Sequence, residues 1–289
     1  MKDVSDQPLP SLEPRKDRGH KGDYGSVLLI GGSRGLAGSI SLSGMAALRS
    51  GAGLVTIATP RCVQHTVAGF APEYMTVGLA DDDDRLEAAA LDPLTELAAK
   101  ADVVAMGPGL GRSPDVTKIV KTLYAEFNKP MVVDADGLNA LAESPGNLSS
   151  PGGPRILTPH PGEFARLTGD SVGVRPSTRS KAALDLASRD LSMQTVVVLK
   201  GAGTVVAGSQ QYAVNTTGNP GMATGGTGDV LTGIVAALLA QGLAPWEAAR
   251  LGAYVHGLAG DMAAEAMGQI SLVATDLIDF LPPALMEVG

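Results

Sequence analysis

This sequence predicts an α/β protein with a central, mostly parallel sheet, helices on both of its faces, and a single domain. Three observations carry that expectation. Short, unbroken apolar runs of strand length alternate with longer helix-like stretches, the pattern of a sheet buried on both sides. Nearly every such run ends in glycine or in an unusual polar cluster, which is where open α/β sheets meet their ligands. No internal period and no long linker divides the 289 residues, enough for one large domain.

Taken in order, residues 1–17 are charged and proline-bearing and read as a flexible tail or loosely packed arm, with the domain filling 18–289. The run SVLLI at 26–30 is strand-like and stops at Gly31-Gly32-Ser33. Residues 39–50 form a helix closed by Gly51, and 54–58 a second strand. Residues 85–100 read as a helix, and 101–106 as a strand ending in Gly107-Pro108-Gly109. A helix over 116–128, a strand over 130–134 and a short helix over 137–142 follow. The Pro/Gly/Ser-rich stretch 144–154 is a surface connection. Then come a strand at 155–158, helices at 161–168 and 178–188, a strand at 196–200, and a hairpin from 204–207 and 211–214. Two long helices, 229–241 and 245–267, complete the pattern. In the first, Leu231, Ile234, Val235, Leu238 and Leu239 fall on one face.

Composition narrows the function. Hydrophobic residues are 44% of the chain but aromatics only 3%, so the core is built from small aliphatics. A net charge of −8 argues against a broad nucleic-acid surface. No apolar run is long enough to span a membrane, and the N-terminus lacks the apolar stretch of a signal peptide, so the cytoplasm is expected. The one cysteine, Cys62, has no partner for an internal disulfide and no nucleophile motif around it; it reads as packing. The acidic run 81–84 reads as a solvated loop tip rather than a metal site.

The richest segment is 215–229, which sets five glycines around one carboxylate before an apolar helix. Glycines Gly225, Gly226 and Gly228, with Thr227, would present free backbone N–H groups to a phosphate at the positive end of that helix. Asp229 beside such an anion makes sense as a base that takes a proton from a hydroxyl during phosphoryl transfer; the plain alternative is a helix N-cap. The Lys200-Gly201-Ala202-Gly203-Thr204 run, at a strand end, fits either a nucleotide phosphate or a simple hairpin turn. In Thr158-Pro-His160-Pro-Gly-Glu163, two prolines fix a histidine suited to a ligand's polar group or to proton transfer. Glu163 falls in the first turn of the next helix, where it either favours the dipole or holds water around Mg²⁺. Asp136 is expected to cap the next helix, and Asp134 and Asp136 offer a minor option for metal or substrate contact. Gly109 lets a ligand lie against the backbone. The spacing of Gly107 to Gly111 does not fit a dinucleotide fingerprint, and no Walker A sequence exists. His256 is expected to pack inside its helix, and His20 and Lys21 are candidates for a lid.

Together these motifs resemble the ribokinase-like superfamily, and within it the ADP/ATP-dependent NAD(P)H-hydrate dehydratase family. The similarity runs from His20-Lys-Gly22 to about Ala264 through Gly31-Gly-Ser33, Gly107-Pro-Gly-Leu-Gly111, Val133-Asp-Ala-Asp-Gly-Leu-Asn139, Leu157-Thr-Pro-His-Pro-Gly-Glu163, Lys200-Gly-Ala-Gly-Thr204, Asn219 to Asp229, and His256-Gly257. That resemblance implies a reaction that restores NADH and NADPH from their hydrates NADHX and NADPHX, spending ADP or ATP to turn the C6 hydroxyl into a phosphate leaving group. It implies nucleotide contacts at Lys200 to Thr204 and Gly228, and hydrated-cofactor contacts at Gly109, His160 and Asp229. A further contact, usually alanine, aligns with Ser39. Glu163 falls where superfamily kinases keep an acidic residue near Mg²⁺, which makes it a candidate to hold the ion through water. The resemblance also implies a homotetramer. The epimerase fused to some relatives is expected to come from another chain, if one is used. The competing expectations are a kinase of hydroxymethylpyrimidine or hydroxyethylthiazole from the same superfamily, and a catalytically silent nucleotide binder.

Overall fold

The computed structural model describes residues 2–289. In chain order its strands are β1 (Lys2–Asp3), β2 (Ser26–Ile30), β3 (Leu54–Pro60), β4 (Met75–Leu79), β5 (Asp81–Asp82), β6 (Arg85–Leu86), β7 (Val103–Met106), β8 (Met131–Val133), β9 (Arg155–Leu157), β10 (Thr195–Leu199), β11 (Val205–Ala207) and β12 (Gln211–Val214). Ten of them form one sheet in the order β1-β12-β11-β10-β9-β8-β7-β2-β3-β4, while β5 and β6 make a separate ribbon. All pairings in the large sheet are parallel except those of β11, which runs against both its neighbours.

The helices are α1 (Ala37–Arg49), α2 (Arg61–Ala68), α3 (Leu91–Lys100), α4 (Pro114–Glu126), α5 (Ala135–Ala142), α6 (Pro161–Thr168), α7 (Pro176–Ala187), α8 (Thr227–Ala240), α9 (Pro245–Met267) and α10 (Ala274–Met286). Alternation along each strand sorts its side chains into two cores. In β2, Val27 and Leu29 face one core with α1, α2, α8, α9 and α10, whereas Leu28 and Ile30 face the other with α3 to α7. Both faces of the sheet are therefore covered, which is why its strands show no polar alternation.

The sequence-based pattern holds with physically traceable differences. Helix α3 starts only at Leu91, because Pro93 lacks an amide hydrogen and belongs in a first turn. The residues before it fold back as the ribbon, whose turn puts Asp83 and Asp84 at φ 44° and 67°. Helix α2 and strand β4 were not foreseen. Nor was α10, which tolerates Pro282 and Pro283 within its length.

Residues 2–17, expected as a flexible tail or loose arm, lie against the domain. Lys2–Asp3 pairs with β12, Val4 is buried, Arg250 donates to the carbonyls of Gln7 and Pro8, and Arg15 stacks over Tyr24. The lid expected of His20 and Lys21 is ruled out by topology. They precede β2, next to Gly53 and the end of α8, and so sit at the opposite end of the sheet from the strands' carboxyl ends.

Candidate active site

From β2 the chain moves outward through β3 and β4, then returns to β7 on the other side of β2 and continues outward to β10. That reversal opens a crevice at the carboxyl ends of β2 and β7, the place where open α/β sheets bind ligands. Gly31 to Ser33 and Gly107 to Gly109 form its walls, tied by the Ser33 hydroxyl donating to the Gly109 carbonyl at 2.9 Å. Gly109 has φ 62°, and a side chain there would run into the Leu36 carbonyl and the Ser39 side chain. Glycine is thus required for the turn to lie on the start of α1.

Helix α8 enters this crevice end-on. Its N-cap is Gly226, at φ 90°, with no side-chain capping bond, so Thr227, Gly228 and Asp229 form the first turn. The N-cap alternative for Asp229 is thereby removed. Amides of a first turn have no acceptor within their own helix and stay available to an anion. The Asp229 backbone is itself anchored, its carbonyl accepting from Ser43 at 2.8 Å.

Around Asp229 lies a tight group of charges. Lys200 donates to Asp134 at 2.6 Å and stands 3.8 Å from Glu163; the second Asp134 oxygen accepts from Thr232 of α8 at 2.8 Å. Asp134 and Glu163 are buried. Burial alone would lower the Lys200 pKa, but Asp134 and Glu163 outweigh it and the ammonium is held charged. Asp229 meets the opposite balance. Burial, reinforced by the negative charge of Asp134, pushes its carboxyl up to about 7, although the Ser39 hydroxyl and Lys200 favour the anion. Two carboxylates in one site therefore differ in kind: Asp134 is paired and fixed, and Asp229 is free to exchange a proton near neutrality.

Beside the first turn of α8 opens a cavity of about 460 Å³, lined by Lys200 to Thr204, Asn215 to Pro220, Thr227, Gly228 and His256 among others. Its size suits a small-molecule ligand. Helix α9 holds the loop that walls it. Thr217 donates to the Tyr254 carbonyl at 2.8 Å, Asn219 to the Gly260 carbonyl at 2.9 Å, and Asp261 accepts from the Gly218 amide at 2.8 Å. Gly257 is where that loop meets the helix backbone, leaving no room for a side chain against Thr217.

His160 proves to be both a structural and an accessible group. Its Nδ1 caps α6, accepting from the amides of Gly162 at 2.9 Å and Glu163 at 3.3 Å, while the Glu163 carboxylate accepts from the His160 amide at 2.8 Å. Because Nδ1 accepts, the proton of the neutral ring sits on Nε2, on a side chain 49% exposed and 3.4 Å from Glu163 Oε1. The Nε2–H thus lies on the accessible edge of the ring, with the Glu163 carboxylate as its near neighbour.

Lys200 to Thr204, Thr227 and Gly228 thus share one cavity, and Ser39, Gly109 and Asp229 gather at the adjoining crevice. Gly225 and Gly226 precede the first turn and serve its geometry more than its lining. Asp136 does not cap α5; it lies in the first turn and accepts from the Gly111 amide at 2.9 Å, bracing the β7 turn. Two contributors went unrecognised as a pair, Asp134 and Thr232. Asp134 was visible as an acid at a strand end, but its partners lie 66 and 98 residues away. His256, expected only to pack, lines the cavity.

The family profile described as NAD(P)H-hydrate dehydratase matches residues 27–283. This chain belongs to the NAD(P)H-hydrate dehydratase family. It is similar to the bifunctional NAD(P)H-hydrate repair enzyme Nnr of Moorella thermoacetica, at 51% identity over 279 residues, covering 96% of this chain and 52% of that protein. The chain spans about half the length of the curated relatives it matches. It also resembles the ADP/ATP-dependent NAD(P)H-hydrate dehydratase from Bacillus subtilis, co-crystallised with ATP and Mg²⁺, with 33% identity, a TM-score of 0.81, and coverage of 96% of this chain and 95% of that one. The hydroxyethylthiazole kinase of Pyrococcus horikoshii OT3 is more distant, at 19% identity, a TM-score of 0.58, and coverage of 86% and 96%; that likeness concerns the fold alone.

Proposed function

We propose that this chain dehydrates the S epimer of NADHX and NADPHX back to NADH and NADPH, consuming ADP or ATP. The observation that carries the reading is Asp229, a carboxyl with its pKa near 7 in the first turn of α8, between the glycine-walled crevice and the cavity at Lys200 to Thr204. The nucleotide occupies that cavity with its terminal phosphate toward the α8 amides. The hydrated nicotinamide lies in the crevice against Gly109 and Ser39, with His160 donating to it through Nε2. Asp229 takes the proton of the C6 hydroxyl as that oxygen attacks the terminal phosphorus, and the bond to the nucleotide's bridging oxygen breaks. Hydroxide is a poor leaving group and phosphate a good one. The ring nitrogen's electron pair then expels phosphate from C6, and loss of a C5 proton restores the dihydropyridine. The Thr227 and Gly228 amides and Lys200 stabilise charge on the migrating group.

Magnesium enters this reading only as an ion carried on the nucleotide's phosphates. Among the described residues no group of three or more His, Cys, Asp or Glu side chains is arranged to hold a metal. Glu163 is buried and engaged with the His160 amide and Lys200, so the part the family resemblance gives it toward that ion is through water. A homotetramer is part of this proposal through the family resemblance, and a cytoplasmic location through the chain's composition; among the described residues no helix is long and apolar enough to cross a membrane. The test is to incubate the protein with NADHX and either ADP or ATP and follow the return of NADH absorbance. Phosphorylation of hydroxymethylpyrimidine or hydroxyethylthiazole without NADH recovery would establish the kinase alternative instead.

A further inference from the structure

We propose that His256 is a positioning residue for phosphoryl transfer, orienting the backbone amide of Gly228 through a hydrogen bond to the Thr227 carbonyl. The inference rests on the reading above, in which that amide meets the nucleotide's terminal phosphate. His256 Nε2 lies 2.8 Å from the Thr227 carbonyl oxygen. A carbonyl only accepts, so Nε2 carries the proton and the neutral ring has its lone pair on Nδ1. Burial pushes the imidazole pKa down to about 4, which keeps the ring in this neutral form at any working pH.

The carbonyl that His256 grips belongs to the Thr227–Gly228 peptide. No peptide bond among the described residues is cis. In a planar trans peptide the C=O and the following N–H point in opposite directions. Fixing the Thr227 oxygen therefore fixes the direction of the Gly228 N–H, which in a helix's first turn points out of the N-terminus. A side chain placed on Gly228 would come 3.2 Å from the Lys200 ammonium. The Lys200 ammonium thus lies close beside the residue whose amide is fixed.

The grip reinforces a carbonyl that already accepts within the first turn of α8, at an end of the helix with little other side-chain support. Its N-cap is a glycine that makes no side-chain capping bond, and Gly225 precedes it. The Thr227 hydroxyl reaches back to the Met222 and Thr224 carbonyls, 3.0 and 3.1 Å away, which steadies the turn before the helix. His256 can hold that peptide because α9 is locked to the cavity loop on either side of it, through Tyr254, Gly257 and Gly260. The histidine does not touch the reacting atoms. It acts through the amide it aims.

The experiment compares His256→Leu, which keeps bulk and removes the donor, with His256→Gln, whose amide nitrogen can replace Nε2. Steady-state rates with NADHX and ADP are measured alongside melting temperatures. Loss of one donor to a migrating oxyanion lowers turnover on the order of 10²-fold. His256→Leu is expected to lose about that much in kcat, with the KM for NADHX changed less than about threefold, and His256→Gln to recover most of the loss. A His256→Leu variant with wild-type kcat, or equal losses in both variants, overturns the proposal. Should either variant fail to fold, ¹⁵N chemical shifts of the wild-type imidazole decide: a neutral Nε2–H tautomer retained down to pH 5 supports it, and an Nδ1–H tautomer or protonation near pH 6.5 contradicts it. The parent reading fails separately, through full activity of Asp229→Asn, which leaves His256 untouched.

Discussion

The two sides of the rim are built on different plans. The proposed nucleotide side is built mainly from two chain segments, Lys200 to Thr204 and Asn215 to Gly228, completed by Leu231 and by Ala253, His256 and Gly257 of α9, which pins the loop into a walled cavity. The proposed hydrated-cofactor side is assembled from the ends of β2, β7 and β9, which lie far apart in sequence and leave His160 half exposed. Asp229 stands at the seam, on the one helix that both sides share. The difference teaches that the donor cavity draws on short glycine-rich segments set against α9, whereas the acceptor side draws on the ends of strands from separate parts of the sheet.

Changes at the seam should damage both sides' chemistry while sparing their binding. Asp229→Asn is expected to lower turnover at least 10³-fold while ADP binding, read by calorimetry, stays within about threefold. The same variant should melt higher than wild type at pH 8. A carboxyl whose folded pKa is raised holds a proton that the unfolded chain releases between 3.8 and about 7, so its contribution to stability is present at low pH and lost as pH rises through that window. Removing the carboxylate relieves that loss and is expected to raise Tm at pH 8 by several °C.

A cut on the nucleotide side tests whether that side is one unit. Lys200→Met leaves Asp134 buried without its cation, a change that typically costs about 3–5 kcal/mol. A drop in Tm of roughly 10 °C and a weakening of ADP binding by about 10-fold or more are expected. Unchanged Tm with weakened ADP binding would mean that Lys200 serves the ligand alone and Asp134 is held by Thr232. On the opposite side, His160→Ala should raise the KM for NADPHX by about 10-fold and leave the KM for ADP within about twofold, with a modest loss of stability from the missing α6 cap. Equal losses for both ligands would erase the division between the two sides.

This division also explains what was legible in the sequence. Short segments close in the chain, Lys200 to Thr204 and Gly225 to Asp229, stand out through glycine spacing and the helix that follows, although Lys200 to Thr204 read equally as a hairpin turn, and it does join antiparallel β10 and β11. The alternation of strands and helices was equally readable, because burial on both faces leaves continuous apolar runs. What escaped depends on distance. The Lys200–Asp134–Thr232 cluster joins three elements that only the β8–β9–β10 order brings together, and Asp136, two residues from Asp134, looked equally eligible until α5 turned it toward Gly111. The same holds for His256, whose partner lies on the preceding helix. Helix α10 was hidden by its prolines, and the docking of residues 2–17 by their charge.

The central claim is that the acid at the seam is a base poised near neutrality, and the pH dependence of kcat/KM for NADHX tests it most directly. Asp229 must be ionised to accept the hydroxyl proton, so the rate should be flat above about 7 and fall tenfold per pH unit below it, the limb disappearing in Asp229→Asn. A wild-type profile that stays flat from pH 8 down to pH 5 would contradict the account.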